Sequence, residues 1–266
     1  MAARWRQYRR IGHRTVPGWL QAQTLDVLAV LRDVQVDLGV SGSVAEIGVY
    51  AGKLFIGLQA LTPPGTPALA VDSFVDQSAN LDEAGGTLST FEAHVRRWGD
   101  WSTVTVEVVD SSTLTADRVA TLANEPVRFF SVDGAHTAEA TVWDIANAEA
   151  ALAKGGVLIV DDIFNEQWPG VMDGAMAHLD RGSSLIPFAI GFNKTYFTNS
   201  AEHAERYERA LREAFSNSLT IYRKTTRFHG HDVELVMRSA LTPRNVLRRF
   251  PQARRLYFAL RRKAGR

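Results

Sequence analysis

Ser43-Val44-Ala45-Glu46-Ile47-Gly48-Val49-Tyr50-Ala51-Gly52 decides the fold. Its first five residues suit a short buried strand, and the two glycines that follow mark a turn. Behind the turn, residues 53–61 carry apolar side chains over the length of a helix. The same alternation continues outward. Strand patterns fall at 68–72, 104–109, 127–132 and 157–160, and helical patterns at 91–98, 139–153 and 171–179. Pro63-Pro64-Gly65 breaks the chain before the second strand, and Lys154-Gly155-Gly156 stops a helix before the fifth. Alternating strands and helices predict an α/β domain, a mainly parallel sheet with helices on both faces. Residues 218–223 and 233–238 add an antiparallel edge pair. Residues 19–38 read as an amphipathic helix within an N-terminal helical extension (1–42). Residues 76–89 read as an irregular polar insertion, and 244–266 as a basic helical tail. No repeat or linker interrupts the pattern, so 1–266 is expected to be a single domain.

Bulk properties exclude several chemistries. Among 266 residues there is no cysteine, which removes disulfides, thiolate metal sites and cysteine nucleophiles. Apolar residues make up 45% and charged residues 22%, enough for a sizeable core. No apolar run approaches the roughly 18 residues of a membrane span. The arginines near the N-terminus have no apolar run behind them, so a cytoplasmic protein without a signal peptide is expected. The net charge of +1 hides an asymmetry. Residues 1–14 hold five arginines and 244–266 hold nine basic residues, while all 29 acids lie between. Basic ends on an acidic body suit a weak anionic-surface contact or a neighbouring subunit, or are solvated helices. A homo-oligomer is expected, and no nucleic-acid partner.

In parallel sheets ligands bind beyond the carboxyl ends of the strands. Here those ends carry Glu46, Asp72, Asp110-Ser111, Asp133-Gly-Ala-His136 and Asp161-Asp162. Acids at the same end of five consecutive strands exceed what solvation requires. The first turn lacks the G-x-G-x-x-G of a dinucleotide site and the spacing and Lys-Ser/Thr of a P-loop. It reads E-x-G-x-x-x-G, which resembles motif I of class I S-adenosylmethionine methyltransferases. Gly48 and Gly52 would let backbone approach the amino-acid part of that cofactor, and Glu46 would accept from its ammonium. Asp72 sits where such folds hold ribose hydroxyls, and Asp110 and Ser111 suit the adenine edge. Tyr50, Ser73 and Asp133 complete the expected cofactor-binding set. An ordinary βα turn is the competing reading.

Asp161 and Asp162 repel each other unless a cation or proton neutralises them, and Asp133 on the next strand would face them. Three carboxylates without cysteine suit Mg²⁺ or Mn²⁺, although a helix N-cap needs no metal. His136, three residues after Asp133, is the candidate general base for a metal-bound hydroxyl. Asp144 either orients a neighbour or caps its helix. His229-Gly-His231 is too sparse for a metal site.

Glu46-x-Gly48-x-x-x-Gly52, Asp133-Gly-x-His136 and Gly155-Gly156-Val-Leu-Ile-Val-Asp161-Asp162 together resemble the macrocin O-methyltransferase family, metal-dependent enzymes of sugar hydroxyls. The likeness spans residues 46–194. It implies a Rossmann-like class I methyltransferase fold, S-adenosylmethionine, magnesium held by Asp133, Asp161 and Asp162, and His136 as base. It also implies a small-molecule or oligosaccharide acceptor. Some relatives have Glu-Asp where this chain has Asp161-Asp162. Catechol-type enzymes place Lys where His136 stands, so a phenol acceptor is the alternative, and an inactive binding module a further one. The segment 72–82 is similar to a substrate or lid loop, and Phe192-Asn193-Lys194 to a recurrent element of no derivable role.

Overall fold

The computed structural model describes residues 2–74, 85–239 and 255. Helices α1 (Ala2–Gln7) and α2 (His13–Thr15) flank one wider turn, and α3 (Ala22–Asp37) follows. The core then runs β1 (Ser43–Ile47), α4 (Lys53–Ala60), β2 (Ala68–Asp72), α5 (Leu88–Trp98), β3 (Val104–Val108), α6 (Ala116–Ala123), β4 (Val127–Val132), α7 (Ala138–Ala151) and β5 (Leu152–Asp161). It closes with α8 (Pro169–Leu179), β6 (Ile186–Gly191), β7 (Lys194–Thr198), α9 (Ala201–Ala214), β8 (Ile221–Phe228) and β9 (His231–Arg238).

These strands make one nine-stranded sheet in the order β3-β2-β1-β4-β5-β7-β6-β9-β8. From β3 to β5 all neighbours are parallel. The chain leaves β1 outward through β2 and β3, then returns to β4 on its other side. That reversal opens a crevice at the carboxyl ends of β1 and β4. Both strands are buried along their whole length, because helices cover the two faces. Phe129 of β4 packs with Leu25, Phe55 and Phe91 on one face, while Phe130 packs with Ile145, Ala148 and Val171 on the other. The expected α/β architecture and the antiparallel pair β8/β9 are both present.

The structure adds elements the sequence pattern did not reveal. β6 and β7 pair antiparallel between β5 and the edge hairpin. Their two-residue loop is Phe192-Asn193, both at positive φ (57° and 69°), and it lacks the glycine that usually announces such a turn. Helices α6 and α9 were also unmarked. In α9 only one narrow face, with Ala204, Tyr207 and Leu211, is buried. Lys154-Gly155-Gly156 does not stop a helix. It forms an irregularity within β5, opposite Val127 and Phe129. A Cβ on Gly155 would lie 2.2 Å from the His203 ring. Residues 17–21 are not helical, and α3 begins at Ala22. Most of the 76–89 insertion and, apart from residue 255, the basic tail 244–266 lie outside the described residues. No described helix is long and apolar enough to cross a membrane.

Glu149 ties α7 to the end of α8. It accepts from His178 Nε2 (2.6 Å), Ser183 Oγ (2.8 Å) and the backbone N–H and hydroxyl of Ser184 (2.7 and 2.6 Å). Burial opposes ionisation, but these donors outweigh it and hold the carboxyl at about 2. A depressed acid stabilises the fold above its unfolded value near 4.3, and the contribution is lost as pH falls towards 2. Glu149→Gln is therefore expected to cost about 1–2 kcal/mol at neutral pH, allowing for partial solvent screening. Urea unfolding from pH 7 to pH 3 should show the gap closing; a pH-independent gap would refute this account.

Candidate active site

A cleft of about 1010 Å³ opens at the strand ends, and every sequence-predicted site residue except Gly52 lines it. Its near rim is Pro17 to Gln21, a non-helical strap ahead of α3. Lys53 Nζ pins this strap by donating to the Gly18 carbonyl (2.8 Å). Trp19 on the strap is 77% exposed and rests against Tyr50, with ring centroids 5.5 Å apart.

The β1 turn is held by backbone as much as by glycine. Gly48 has φ 81°, and a Cβ there would lie 1.8 Å from the Asp133 carbonyl oxygen. Its missing side chain lets the ends of β1 and β4 close on each other. Gly52 (φ 87°) begins α4 under the Phe91 ring, which a Cβ would approach to 2.9 Å. Both glycines thus meet protein neighbours. Asp72 accepts from the backbone N–H of Tyr50 (2.8 Å) and of Phe74 (2.6 Å), which fixes its carboxylate at the cleft wall. Burial pushes it up despite those bonds. Asp110 accepts from Ser112 N (2.9 Å) and caps the turn 111–113.

Glu46 is 3% exposed, lines the cleft, and its Oε2 has no hydrogen-bond partner. Burial, reinforced by the Asp133 charge, pushes it well above the usual carboxylate range. A buried acid with an unmet acceptor fits a cationic nitrogen such as the ammonium of S-adenosylmethionine.

Beside Glu46 lies the polar centre. One ligand atom each of Asp133, His136 and Asp162 fall within 4.8 Å of one another. His136 Nε2 is 3.2 Å from Asp162 Oδ2 and 3.5 Å from Asp133 Oδ1. The imidazole stacks on Trp168 with centroids 4.8 Å apart, and Thr137 behind it caps α7. Asn165 and Asn193 both donate to Asp162 Oδ1 (2.5 and 2.6 Å). Burial opposes ionisation of Asp133 and Asp162, but His136 and the other donors outweigh it and hold both below the usual range. Burial alone would lower His136. Its two carboxylate partners instead push it up to about 10.

Asp161 is placed differently from the other two predicted ligands. It is 6% exposed and makes a close ion pair with Lys194 Nζ, itself 3% exposed. Its Oδ1 accepts from Asp162 N (3.0 Å). Burial favours a neutral Asp161 and Lys194 opposes this; the surrounding acids keep Lys194 protonated, above its ordinary value. An oxygen-rich donor set with one imidazole and no thiolate fits a hard divalent cation at Asp133 and Asp162.

Sequence reasoning missed Asn165, Trp168 and the strap, and found no role for Asn193 and Lys194. The unread Phe192-Asn193-Lys194 element was the one available signal. Asp144 is fully buried on α7. Burial pushes its carboxyl up to about 7, with the Ser111 hydroxyl pulling the other way.

The geometry has counterparts. Residues 45–163 match a family described as a methyltransferase domain. No curated protein matches the chain. Among solved structures it is similar to the O-methyltransferase NovP, with TM-score 0.54, 15% identity and coverage of 67% of this chain and 80% of that one. It is similar to the calicheamicin methyltransferase CalS11, with TM-score 0.51, 15% identity and coverage of 74% and 91%. A Corynebacterium glutamicum protein is similar at TM-score 0.50, 16% identity and coverage of 76% and 92%. Sheet order and cleft define a class I methyltransferase fold. The matched methyltransferase domain and the shared fold agree with the resemblance to class I O-methyltransferases read from the motifs.

Removing one partner of a buried ion pair leaves a buried charge and costs about 3–5 kcal/mol. Lys194→Met is expected to destabilise by that amount in urea unfolding, and adding Asp161→Asn to recover most of it. Lys194→Met within about 1 kcal/mol of wild type would show that the pair does not hold the strand ends.

Proposed function

We propose that the chain is an S-adenosylmethionine-dependent O-methyltransferase that uses Mg²⁺ or Mn²⁺ to methylate a sugar hydroxyl on a small-molecule or oligosaccharide acceptor. The observation that carries this reading is the Asp133–His136–Asp162 cluster, within 4.8 Å, on the same cleft as Glu46, whose Oε2 has no hydrogen-bond partner. The reading takes residues 1–266 as one methyltransferase domain with terminal extensions.

Each role falls on a residue already described. Glu46 would accept from the cofactor's ammonium and Asp72 from its ribose hydroxyls. Tyr50 and Ser73 border the same wall, and Asp110 and Ser111 border the adenine end. Asp133 and Asp162 would hold the cation, with Asn165 and Asn193 orienting Asp162 and Lys194 holding Asp161 beside it. When bound, the sulfonium supplies the methyl group and the cation acidifies the acceptor hydroxyl. His136, held protonated by Asp133 and Asp162, would lose the effect of their charge once a cation engaged them. Its Nε2 is then able to take the acceptor proton. Trp168 fixes the ring plane, and Trp19 presents an aromatic face at the rim. Such faces suit the apolar side of a pyranose. CalS11, a TDP-rhamnose 3'-O-methyltransferase, acts on a sugar; in this chain His136, in place of the catechol-type Lys, supports the sugar reading over a phenol.

Calorimetric titration with S-adenosylhomocysteine, with and without MgCl₂, tests this first. Binding in the micromolar range, and a Mg²⁺ heat that vanishes in Asp133→Ala/Asp162→Ala, are expected. No heat from either titration would sink the reading and favour an inactive binding module. With a glycosylated acceptor, His136→Gln should lower kcat by about 10²–10⁴-fold while leaving S-adenosylhomocysteine affinity unchanged. An acceptor screen in which only phenols are methylated would replace the sugar by a catechol-type substrate.

A further inference from the structure

Asp144 stands outside every role above. Its side chain is fully buried, and neither carboxylate oxygen has a hydrogen-bond partner. The small void beside it is lined by Val132, Val160 and Val171 as well as by the 133–136 loop and Asp161. A lone carboxylate in such a place is costly, and an apolar residue of similar size would serve packing better.

The position of the group is informative. On one side it lies against the loop between Asp133 and His136. A Cβ on Gly134 would sit 2.4 Å from Asp144 Oδ2, so the acid touches the bare backbone of that loop. On the other side is the turn 111–113, whose Ser111 hydroxyl is near enough to favour the charged form without completing a bond. Two more α7 residues grip the end of the same turn. Trp143 Nε1 and Asn147 Nδ2 both donate to the Leu114 carbonyl, at 2.8 and 3.3 Å. The void beside Asp144 measures about 10 Å³, room for one water at most. The carboxylate therefore acts through the two loops.

We propose that Asp144 is a positioning residue that couples the two halves of the site, linking the Ser111 turn to the 133–136 loop that carries Asp133 and His136. This rests on the cofactor and cation reading above, in which the first loop borders the adenine end and the second holds the cation. A small inward shift of Ser111 completes its bond to Asp144 and fixes the carboxylate against Gly134. Cofactor binding thereby orders the cation loop, and by linkage cation binding strengthens cofactor binding.

The experiment is calorimetric titration of the full chain with S-adenosylhomocysteine, with and without MgCl₂. It is run on wild type, Asp144→Asn, Ser111→Ala and the double variant, each checked for its melting temperature. In wild type, Mg²⁺ should tighten S-adenosylhomocysteine binding several-fold. Asp144→Asn, nearly isosteric, should weaken binding about tenfold, the worth of one hydrogen bond to a charged group, and abolish the Mg²⁺ response. The double variant should bind no more weakly than Asp144→Asn alone, because the two residues act through one contact. An Asp144→Asn protein with wild-type affinity and Mg²⁺ response overturns the proposal, even if it melts earlier, since that is a purely structural role. Absence of S-adenosylhomocysteine binding in wild type overturns the cofactor reading as well, which separates the two failures.

Discussion

Four carboxylates, Glu46, Asp133, Asp161 and Asp162, gather at the carboxyl ends of β1, β4 and β5, and their mutual repulsion is the constraint around which the cleft is organised. Two cations stand against them, Lys194 and the imidazolium of His136. The balance is deliberately unequal in kind. Lys194 is enclosed and permanently paired with Asp161, whereas His136 faces the cleft between two acids that could take another partner. The permanent cation steadies the strand ends, and the titratable one leaves a negative site open to a cationic ligand. Glu46, whose Oε2 has no hydrogen-bond partner, is pushed by burial and the Asp133 charge towards its neutral form.

Holding these groups together requires backbone conformations that side-chain-bearing residues avoid. Eight non-glycine residues among those described have positive φ, and five of them, Tyr50, His136, Asp162, Phe192 and Asn193, line the cleft. Each costs on the order of 1 kcal/mol or more and persists only where surrounding structure over-determines it. The support is visible. Tyr50 N donates to Asp72, Asp162 N donates to the Asn193 carbonyl, and His136 is stacked on Trp168 ahead of a capped helix. Behind them, β1 and β4 are buried on both faces, so the turns leave from a rigid floor.

Much of this was legible in the sequence where the signal was local. The run from Ser43 to Gly52, the D-G-A-H loop and the Asp161-Asp162 pair each announce themselves within ten residues. What was illegible depends on distance or on the absence of a usual marker. Lys194 meets Asp161 across 33 positions, and nothing in its neighbourhood names its partner. The turn that delivers it, Phe192-Asn193, uses left-handed residues without glycine. Trp19 and Leu20 continue the apolar spacing of α3, so periodicity assigned them to a helix, although Gly18 (φ 125°) and the Lys53 bond hold them as a strap. Glycine is ambiguous in another way. Gly48 and Gly52 look the same whether they make room for a ligand or for Asp133 and Phe91, and only the fold distinguishes the two.

Asp133 shows why the cofactor wall and the polar centre are one object. Its N–H donates to the Ile47 carbonyl at 2.9 Å, and its own carbonyl closes against Gly48, so its backbone belongs to the cofactor turn. Its carboxylate faces His136 and so belongs to the centre. A displacement of the β1 turn must therefore move the carboxylate, and a change in the charge facing the carboxylate must be felt at the turn. The strand order makes this inevitable, because β1 and β4 are neighbours only where the chain reverses direction. A larger side chain at Gly48 would separate those strand ends and with them the two halves of the site, whatever space it left for a ligand.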